Sequence, residues 1–332
     1  MPGVIRPAGN VFSFIPFFTT HLKYKRSNRI KQMNATISSG AAVRQKSGFV
    51  ALVGRPNVGK SSLLNALIGQ KITITSAKPQ TTRNQLRGIL TGDHYQIVWL
   101  DTPGLHRPLH QLGTQMVEQT RTALRHVDLA LWMLDAAAGY TPVDQKVAAQ
   151  LAVAATPLYV VWNKMDLVAA GTTPEEIPGF NRVFQVSVHS GQGLAELLAA
   201  VVDALPEGPF YYPPDQVADH PERFIVAELI REQVLTYTED EVPHAVAVLV
   251  DQLQERPGGK IYIAAQIFVE RDSQKGIIIG AKGARLKKIG AAARPLIEEL
   301  LDAPVYLDLW VKVRKNWRNQ EKDLKEFGYW EK

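Results

Sequence analysis

The 332-residue chain contains no cysteine, so it has no disulfide framework, no thiolate nucleophile and no thiolate metal site. Among its eight histidines one pair, His106 and His110, has H-x-x-x-H spacing, but Pro108 between them disfavours the helix that would bring both imidazoles to one face, which argues against a structural metal held by histidines. Long hydrophobic runs are also missing. A spanning helix needs about 20 apolar residues. The best candidates, Val11 to Phe18 and Val127 to Gly139, are short or interrupted by Pro16, or by Asp128 and Asp135. Acids are absent from residues 1–48, which hold eight Lys/Arg, leaving 30 basic and 32 acidic residues for the rest of the chain. The overall charge of +6 therefore belongs largely to this leading segment. With 45% hydrophobic and 21% charged residues the chain is neither collagen-like nor wholly disordered, and its length suits roughly two domains.

Residues 1–46 show no helical or strand period, and their basic, Ser/Thr/Asn-rich composition is that of a disordered extension. A secretory signal is not expected, because Pro16 splits the apolar stretch and no small-residue cleavage site follows closely. Two readings stay open: an organellar transit peptide, or a misplaced start with the chain proper beginning at Met33. From Phe49 the pattern alternates. Phe49–Val53, Tyr95–Leu100, Leu129–Leu134, Leu158–Trp162 and Val183–Val186 read as buried strands, with helices at Ser61–Ile68, 112–126 and 144–155 between them. A last helix carries Leu194, Leu197, Leu198, Val201, Val202 and Leu205 on one face. Residues 47–205 thus read as a doubly wound α/β domain. A proline-stiffened linker, 206–221, follows, with Phe210, Tyr211 and Tyr212 able to tack it to a surface. Residues 222–332 read as an α+β domain: helix 224–235, strands 245–254 and 260–270, a short apolar strand Gly276–Ile279, helix 285–301 and strand 305–313.

After the first strand stands Gly54-Arg-Pro-Asn57-Val58-Gly59-Lys60-Ser61, which fits G-x-x-x-x-G-K-[ST] in a strand, loop, helix setting. Such a loop turns backbone N–H groups toward phosphate oxygens, with Lys60 reaching the β/γ-phosphates and Ser61 ligating Mg²⁺. Asp101-Thr-Pro-Gly104 follows a strand and places a carboxylate beside the Mg²⁺ shell and a glycine N–H near a γ-phosphate. Asn163-Lys164-Met-Asp166 follows another. The Asp166 carboxylate can accept from both the ring N–H and the exocyclic amine of guanine, which selects GTP/GDP over adenine nucleotides. Ser187-Val188 stands where a backbone N–H would meet the guanine carbonyl. In Gln80-Thr81-Thr82-Arg83, Thr82 is the first choice for a switch hydroxyl that closes onto Mg²⁺, with Thr81 next. Lys60, Thr82, Asp101 and Gly104 form the expected catalytic set. Leu105 can neither donate nor accept, so hydrolysis cannot use a side chain there to orient water, and it is expected to be slow. Asn57 is the candidate ligand for a K⁺ ion bridging the phosphates, a role attributed to the matching asparagine in several GTPases with a hydrophobic residue in the place of Leu105; the alternative is that it only supports the loop turn.

These motifs, Gly54–Asn65, Gln80–Arg83, Asp101–His106 and Asn163–Asp166, together with Val269-Glu-Arg271, Ile279–Ala284 and Leu309–Val313, resemble the Era family of bacterial ribosome-assembly GTPases. The similarity spans about residues 47–330. Ser62 and Val188 depart from the family pattern without removing a required group, and residues 1–46 lie outside it. The resemblance implies a Ras-like P-loop GTPase domain followed by a type II KH domain. It also implies a cytoplasmic monomer that binds 16S rRNA near its 3′ end, assists 30S subunit assembly and can associate peripherally with the inner face of the cell membrane. An organellar matrix location follows instead if the extension is a transit peptide.

The second domain agrees on its own terms. Gly280-Ala281-Lys282-Gly283 opens a helix, and KH domains use such a G-x-x-G loop to clamp the backbone of single-stranded RNA. From Lys275 to Arg294 there are six basic residues and no acid, with Lys282, Arg285, Lys287 and Lys288 nearest the loop. Trp317 and Arg318 are further candidates for the RNA groove, whereas Trp310 reads as core. A small-molecule kinase would leave Asn163–Asp166 and the second half unexplained. A membrane-binding GTPase is the other rival, separable by comparing RNA with anionic vesicles.

Overall fold

The computed structural model describes residues 44–78, 81–103, 111–152, 156–180 and 182–329. Its first half is one six-stranded sheet built from β1 (Lys46–Val53), β2 (Leu86–Thr91), β3 (Tyr95–Asp101), β4 (Leu129–Asp135), β5 (Leu158–Asn163) and β6 (Val183–Gln185). The strand order is β2-β3-β1-β4-β5-β6, and every pair is parallel except β2 with β3. Strands β3 and β4 are buried at every residue, which explains their continuous apolar runs: both sheet faces are covered. Helices α1 (Lys60–Ile68) and α4 (Leu194–Ala204) send Leu63, Leu64, Leu67, Leu197, Leu198 and Val201 into the core on one face. On the other face, α2 (Gln111–Arg125) and α3 (Pro142–Leu151) pack Ala123, Leu124, Val147 and Leu151 against Trp132 and Trp162. The doubly wound expectation holds, and the order reverses at β1, so the loop leaving β1 opens at the switch point where α/β sheets bind ligands.

Strand β2 was not expected. It is an antiparallel edge whose Gly88 interrupts the apolar alternation, and a Cβ there would lie 2.4 Å from Ile68 Cδ1. That edge is covered by residues 206–221. Ile89 N–H donates to Val217 O at 2.8 Å, Asp219 N–H to Arg87 O at 3.2 Å, and Val217 and Ala218 are buried. The Gln96 side chain accepts from Tyr211 N and Tyr212 N at 2.7 and 2.9 Å and donates to Tyr212 O. The linker is therefore fastened mainly by its backbone, with the Tyr211 ring 4.9 Å from Phe49 as a second contact.

In the second half, α5 (Glu222–Tyr237) and the single turn α6 (Val242–Ala245) precede β7 (Ala247–Arg256) and β8 (Lys260–Val269). Then come α7 (Asp272–Ile279), α8 (Ala284–Leu301), β9 (Val305–Val313) and α9 (Glu321–Glu326). The sheet runs β7-β8-β9, antiparallel then parallel, with α5 and α8 on one face. Gly276–Ile279 is the end of a helix, not a strand. Three consecutive isoleucines cannot distinguish the two states. What sets the helix is Gln274, whose Oε1 accepts from Glu270 N and Arg271 N at 3.0 and 3.1 Å, and only Ile278 of the three is buried. The two tryptophans exchange their expected places. Trp310 is 44% exposed on the outer sheet face. Trp317 is fully buried, donating Nε1–H to Ala245 O and packing with Phe327 and Tyr329 beside Leu112 and Met116 of α2, so it lines no RNA groove.

Candidate functional site

The loop between β1 and α1 turns on Gly54 (φ 145°), Asn57 (φ 67°) and Gly59 (φ 100°). Gly59 also permits a close approach, since a Cβ there would lie 2.3 Å from Asn163 Nδ2. Through that gap Asn163 Nδ2 donates to Val58 O at 2.8 Å, while its Oδ1 accepts from Val188 N at 3.1 Å. Asn163 thus braces the phosphate loop against the loop carrying Ser187 and Val188. Asn57 Nδ2 donates to Ala77 O at 2.6 Å, joining the phosphate loop to the segment that precedes Thr82.

Lys60 is nearly buried, with Nζ donating to Gly54 O and Arg55 O at 2.9 and 3.0 Å. Burial pushes its ammonium down to about 8, against the pull of Asp101. Asp101 is fully buried, and burial raises its carboxyl to about 6 despite a 2.7 Å bond from Ser61 Oγ to Oδ2. Thr82 Oγ1 stands 3.1 Å from Ser61 Oγ, so three oxygen-bearing side chains meet at the start of α1. The other carboxylate oxygen, Asp101 Oδ1, is buried with no hydrogen-bond partner. Thr81 also lines the cleft, but its hydroxyl donates to Lys78 O at 2.6 Å. Gly104, Leu105 and Gln80 lie outside the described residues.

At the far end of the cleft Ser187 Oγ donates to Asp166 Oδ1 at 2.5 Å, and that bond holds the Asp166 carboxyl below the usual carboxylate range. Lys164, itself at φ 66°, reaches Asp135 Oδ2 at 2.6 Å. Asn57, Gly59, Lys60, Ser61, Ser62, Thr82, Asn163, Lys164, Asp166 and Val188 all line one cleft of about 840 Å³, whereas Gly54, Val58, Asp101 and Ser187 are buried and not on its lining. The sequence reading missed Leu167, 65% exposed, and His189, both on this lining. It also missed Asp135 as the anchor of Lys164.

In the second half Gly280 (φ 70°), Lys282 (φ 50°) and Gly283 (φ 79°) form a tight turn into α8. A Cβ on Gly280 would lie 2.8 Å from Arg285 Cβ, whereas one on Gly283 would meet nothing within 4 Å, so Gly283 is required by its backbone angle alone. Ala281, Lys282, Arg285, Lys287 and Lys288 are exposed. Two of these cations have local duties: Arg285 Nη1 donates to Ile277 O at 2.5 Å, and Lys288 Nζ lies 4.7 Å over the Tyr237 ring.

A strand-to-helix glycine loop carrying Lys60 and Ser61, a carboxylate held by Ser187 at the far end of the same cleft and a glycine-turned basic loop on an α+β domain are the features of a P-loop GTPase joined to a KH domain. A family model described as 50S ribosome-binding GTPase matches residues 49–164, and a KH domain model matches residues 241–318. The chain belongs to the Era family of GTPases. It is 50% identical over 291 residues to GTPase Era of Geobacter metallireducens, covering 86% of this chain and 98% of that protein. The identity to GTPase Era of Carboxydothermus hydrogenoformans is 47% over 293 residues, covering 86% and 98%. Two solved Era structures match with TM-score 0.81 and 38% identity, covering 86% of this chain and 99% of theirs. One is a variant of Aquifex aeolicus Era bound to GDP·AlF4⁻; the other is Era in complex with MgGDPNP and nucleotides 1506–1542 of 16S ribosomal RNA.

Proposed function

We propose that this chain is a Mg²⁺-dependent GTP switch that binds 16S rRNA near its 3′ end through Gly280–Gly283 and assists 30S subunit assembly in the cytoplasm. The observation that carries the RNA reading is the loop itself: three residues at positive φ open an 18-residue helix whose N-terminal turns carry exposed cations. Backbone N–H groups and a helix N-terminus suit phosphates, and the missing Cβ atoms let the RNA backbone approach. The complex of the related Era with a 16S rRNA segment supports the choice of RNA.

The donor set at Ser61, Thr82 and Asp101 fits Mg²⁺, because a divalent ion would meet the unpartnered Asp101 Oδ1 and offset the burial of that carboxylate. Mg²⁺ there would neutralise charge developing on the β- and γ-phosphate oxygens. Lys60 supplies a fixed cation from the loop, Asp166 reads the base, and Asn163 keeps the two ends of the cleft in register. With its amide nitrogen engaged by Ala77, Asn57 keeps its oxygen for K⁺.

The test is a titration of an oligonucleotide with the sequence of the 16S rRNA 3′ end against wild type and Lys282→Asp. The exposed charge reversal should weaken binding by about tenfold or more, with a smaller salt slope and unaltered GDP affinity. Equal RNA affinity in the two proteins overturns the assignment of this loop. Binding to anionic vesicles in preference to RNA at physiological salt would favour a membrane role instead.

A further inference from the structure

The segment carrying Thr82 belongs to the GTPase half in sequence, and its start is held there, Ile72 N and Thr73 N donating to Asn65 Oδ1 at 3.0 Å, but from Thr75 to Asn84 its hydrogen bonds run largely to the KH half. Glu232 on α5 is 3% exposed, and its carboxylate accepts from Lys71 Nζ at 2.7 Å, Thr75 N at 2.7 Å and Thr75 Oγ1 at 3.2 Å. Its neighbour Arg231, fully buried, donates Nη2 to the carbonyl of Thr81 and is itself fixed by Glu228. Lys78 Nζ reaches Thr238 O, and Asn84 reaches Gly328 O. Arg83, 2% exposed, donates to the carbonyls of Val246, Pro243 and His244. On the GTPase side the same segment is joined to the site through Asn57 with Ala77 and through Thr82 with Ser61. Residues 71–78 and 81–85 contain no helix or strand, so nothing in their own backbone pattern restricts them to one conformation.

We propose that Glu232 and Arg231 are positioning residues of the GTPase site, supplied by the KH half. They pin the amide of Thr75 and the carbonyl of Thr81 so that the Thr82 hydroxyl is presented beside Ser61 and Asp101. The inference rests on the reading of Thr82 as a Mg²⁺ ligand. Its chemistry is specific: a buried carboxylate takes two donors from one residue of the loop, and a buried guanidinium takes the carbonyl next to the ligand. Without them the loop samples conformations in which the Thr82 oxygen is absent from the metal shell, and more Mg²⁺ is needed to gather it in.

The experiment measures the Mg²⁺ concentration that half-saturates GTP turnover in the full chain, with GDP affinity at saturating Mg²⁺ as a second readout. Thr82→Ala should raise the half-saturating concentration. Glu232→Ala should also raise it, by about tenfold, as expected for loss of hydrogen bonds to a charged acceptor. Glu232→Gln retains an oxygen for Thr75 N–H and should restore most of the wild-type value. Arg231→Lys keeps the charge without the planar fork and should show an intermediate rise. GDP affinity should stay within about twofold throughout. A role confined to stability would lower turnover at saturating Mg²⁺ by reducing the folded fraction and leave the half-saturation point where it was. If Thr82→Ala raises that point while Glu232→Ala and Arg231→Lys do not, the positioning role is wrong. If Thr82→Ala does not raise it, the Mg²⁺ reading of Thr82 is wrong and the inference falls with it.

Discussion

Asp166→Asn tests the base assignment with an outcome the geometry sets in advance. Ser187 Oγ donates to Asp166 Oδ1 at 2.5 Å, and Ser187 is fully buried, so this donor cannot be replaced by water. Ser187 Oγ already accepts from Ser190 N at 3.1 Å, so its proton is what it offers residue 166, and an asparagine there satisfies it by keeping its oxygen toward Ser187, which turns its Nδ2 into the cleft. Guanine presents two N–H donors to the carboxylate. With a donor facing them, both charge-assisted bonds are lost, each worth about a factor of ten, so GTP affinity should fall about a hundredfold. The Asp166 carboxyl, held ionised below its usual range by that Ser187 bond, faces open cleft, so the larger discrimination of a fully enclosed site is not expected. Xanthine carries a carbonyl in place of the exocyclic amine and can accept from the amide, so preference should pass to xanthine nucleotides. Displacement of a fluorescent guanine nucleotide by GTP, XTP and ATP reads all three. GTP affinity within about threefold of wild type would refute the reasoning.

Two further outcomes follow from other groups. If Asn57 supplies an oxygen to a monovalent ion, GTP turnover should be faster in KCl than in NaCl at equal ionic strength, and Asn57→Ala should abolish the difference; equal rates in the two salts remove the ion from the site. His244 titrates below its ordinary value of 6.5, first because it is partly buried and then because Arg83, Arg318 and Lys78 face it. With the folded value depressed, the unfolded chain takes up the proton first, so stability is present above pH 6.5 and is lost as pH falls through the folded value. The melting temperature of wild type should therefore fall more steeply than that of His244→Asn between about pH 7 and about pH 5, and parallel profiles would show that the imidazole is not the sensor.

The elements that were legible in the sequence are those whose signal is local and whose surroundings are symmetric. β3 and β4 are apolar throughout because helices cover both faces, and the phosphate loop sits between a strand and a helix that its own spacing implies. β2 failed this test. It is an edge whose partner on the outer side is an irregular segment 130 residues later, and Gly88 removes the side chain that would have continued the alternation. Trp310 and Trp317 could not be sorted for a related reason. Which part of the outer KH sheet face is open depends on where residues 317–329 return, and that return is decided by contacts with Leu112 and Met116 of the other half.

The site divides along the same line. Ser61, Asp101, Asn163 and Asp166 announce themselves because each stands at a strand end or at a fixed offset after one, in a spacing that nucleotide chemistry explains. Arg231 and Glu232 carry no such mark. On an isolated helix Glu228 and Arg231 are an ordinary i,i+3 surface pair, worth a few tenths of a kcal/mol. In the folded chain the same Arg231 is fully buried, and although burial alone would lower its guanidinium, the adjacent Glu228 raises it overall. Arg83, close enough for Arg231 to depress it further, is driven to about 10 chiefly by its own burial. Two like charges kept out of water in one interface are costly unless each has acceptors waiting, and here those acceptors are the carbonyls of Thr81, Val246, Pro243 and His244. Apolar residues could have joined the two halves at less cost. They could not have gripped the Thr81 carbonyl on one side of Thr82 or given Arg83 three carbonyls to hold on the other, which is what the proposed positioning of Thr82 needs from whatever holds its loop.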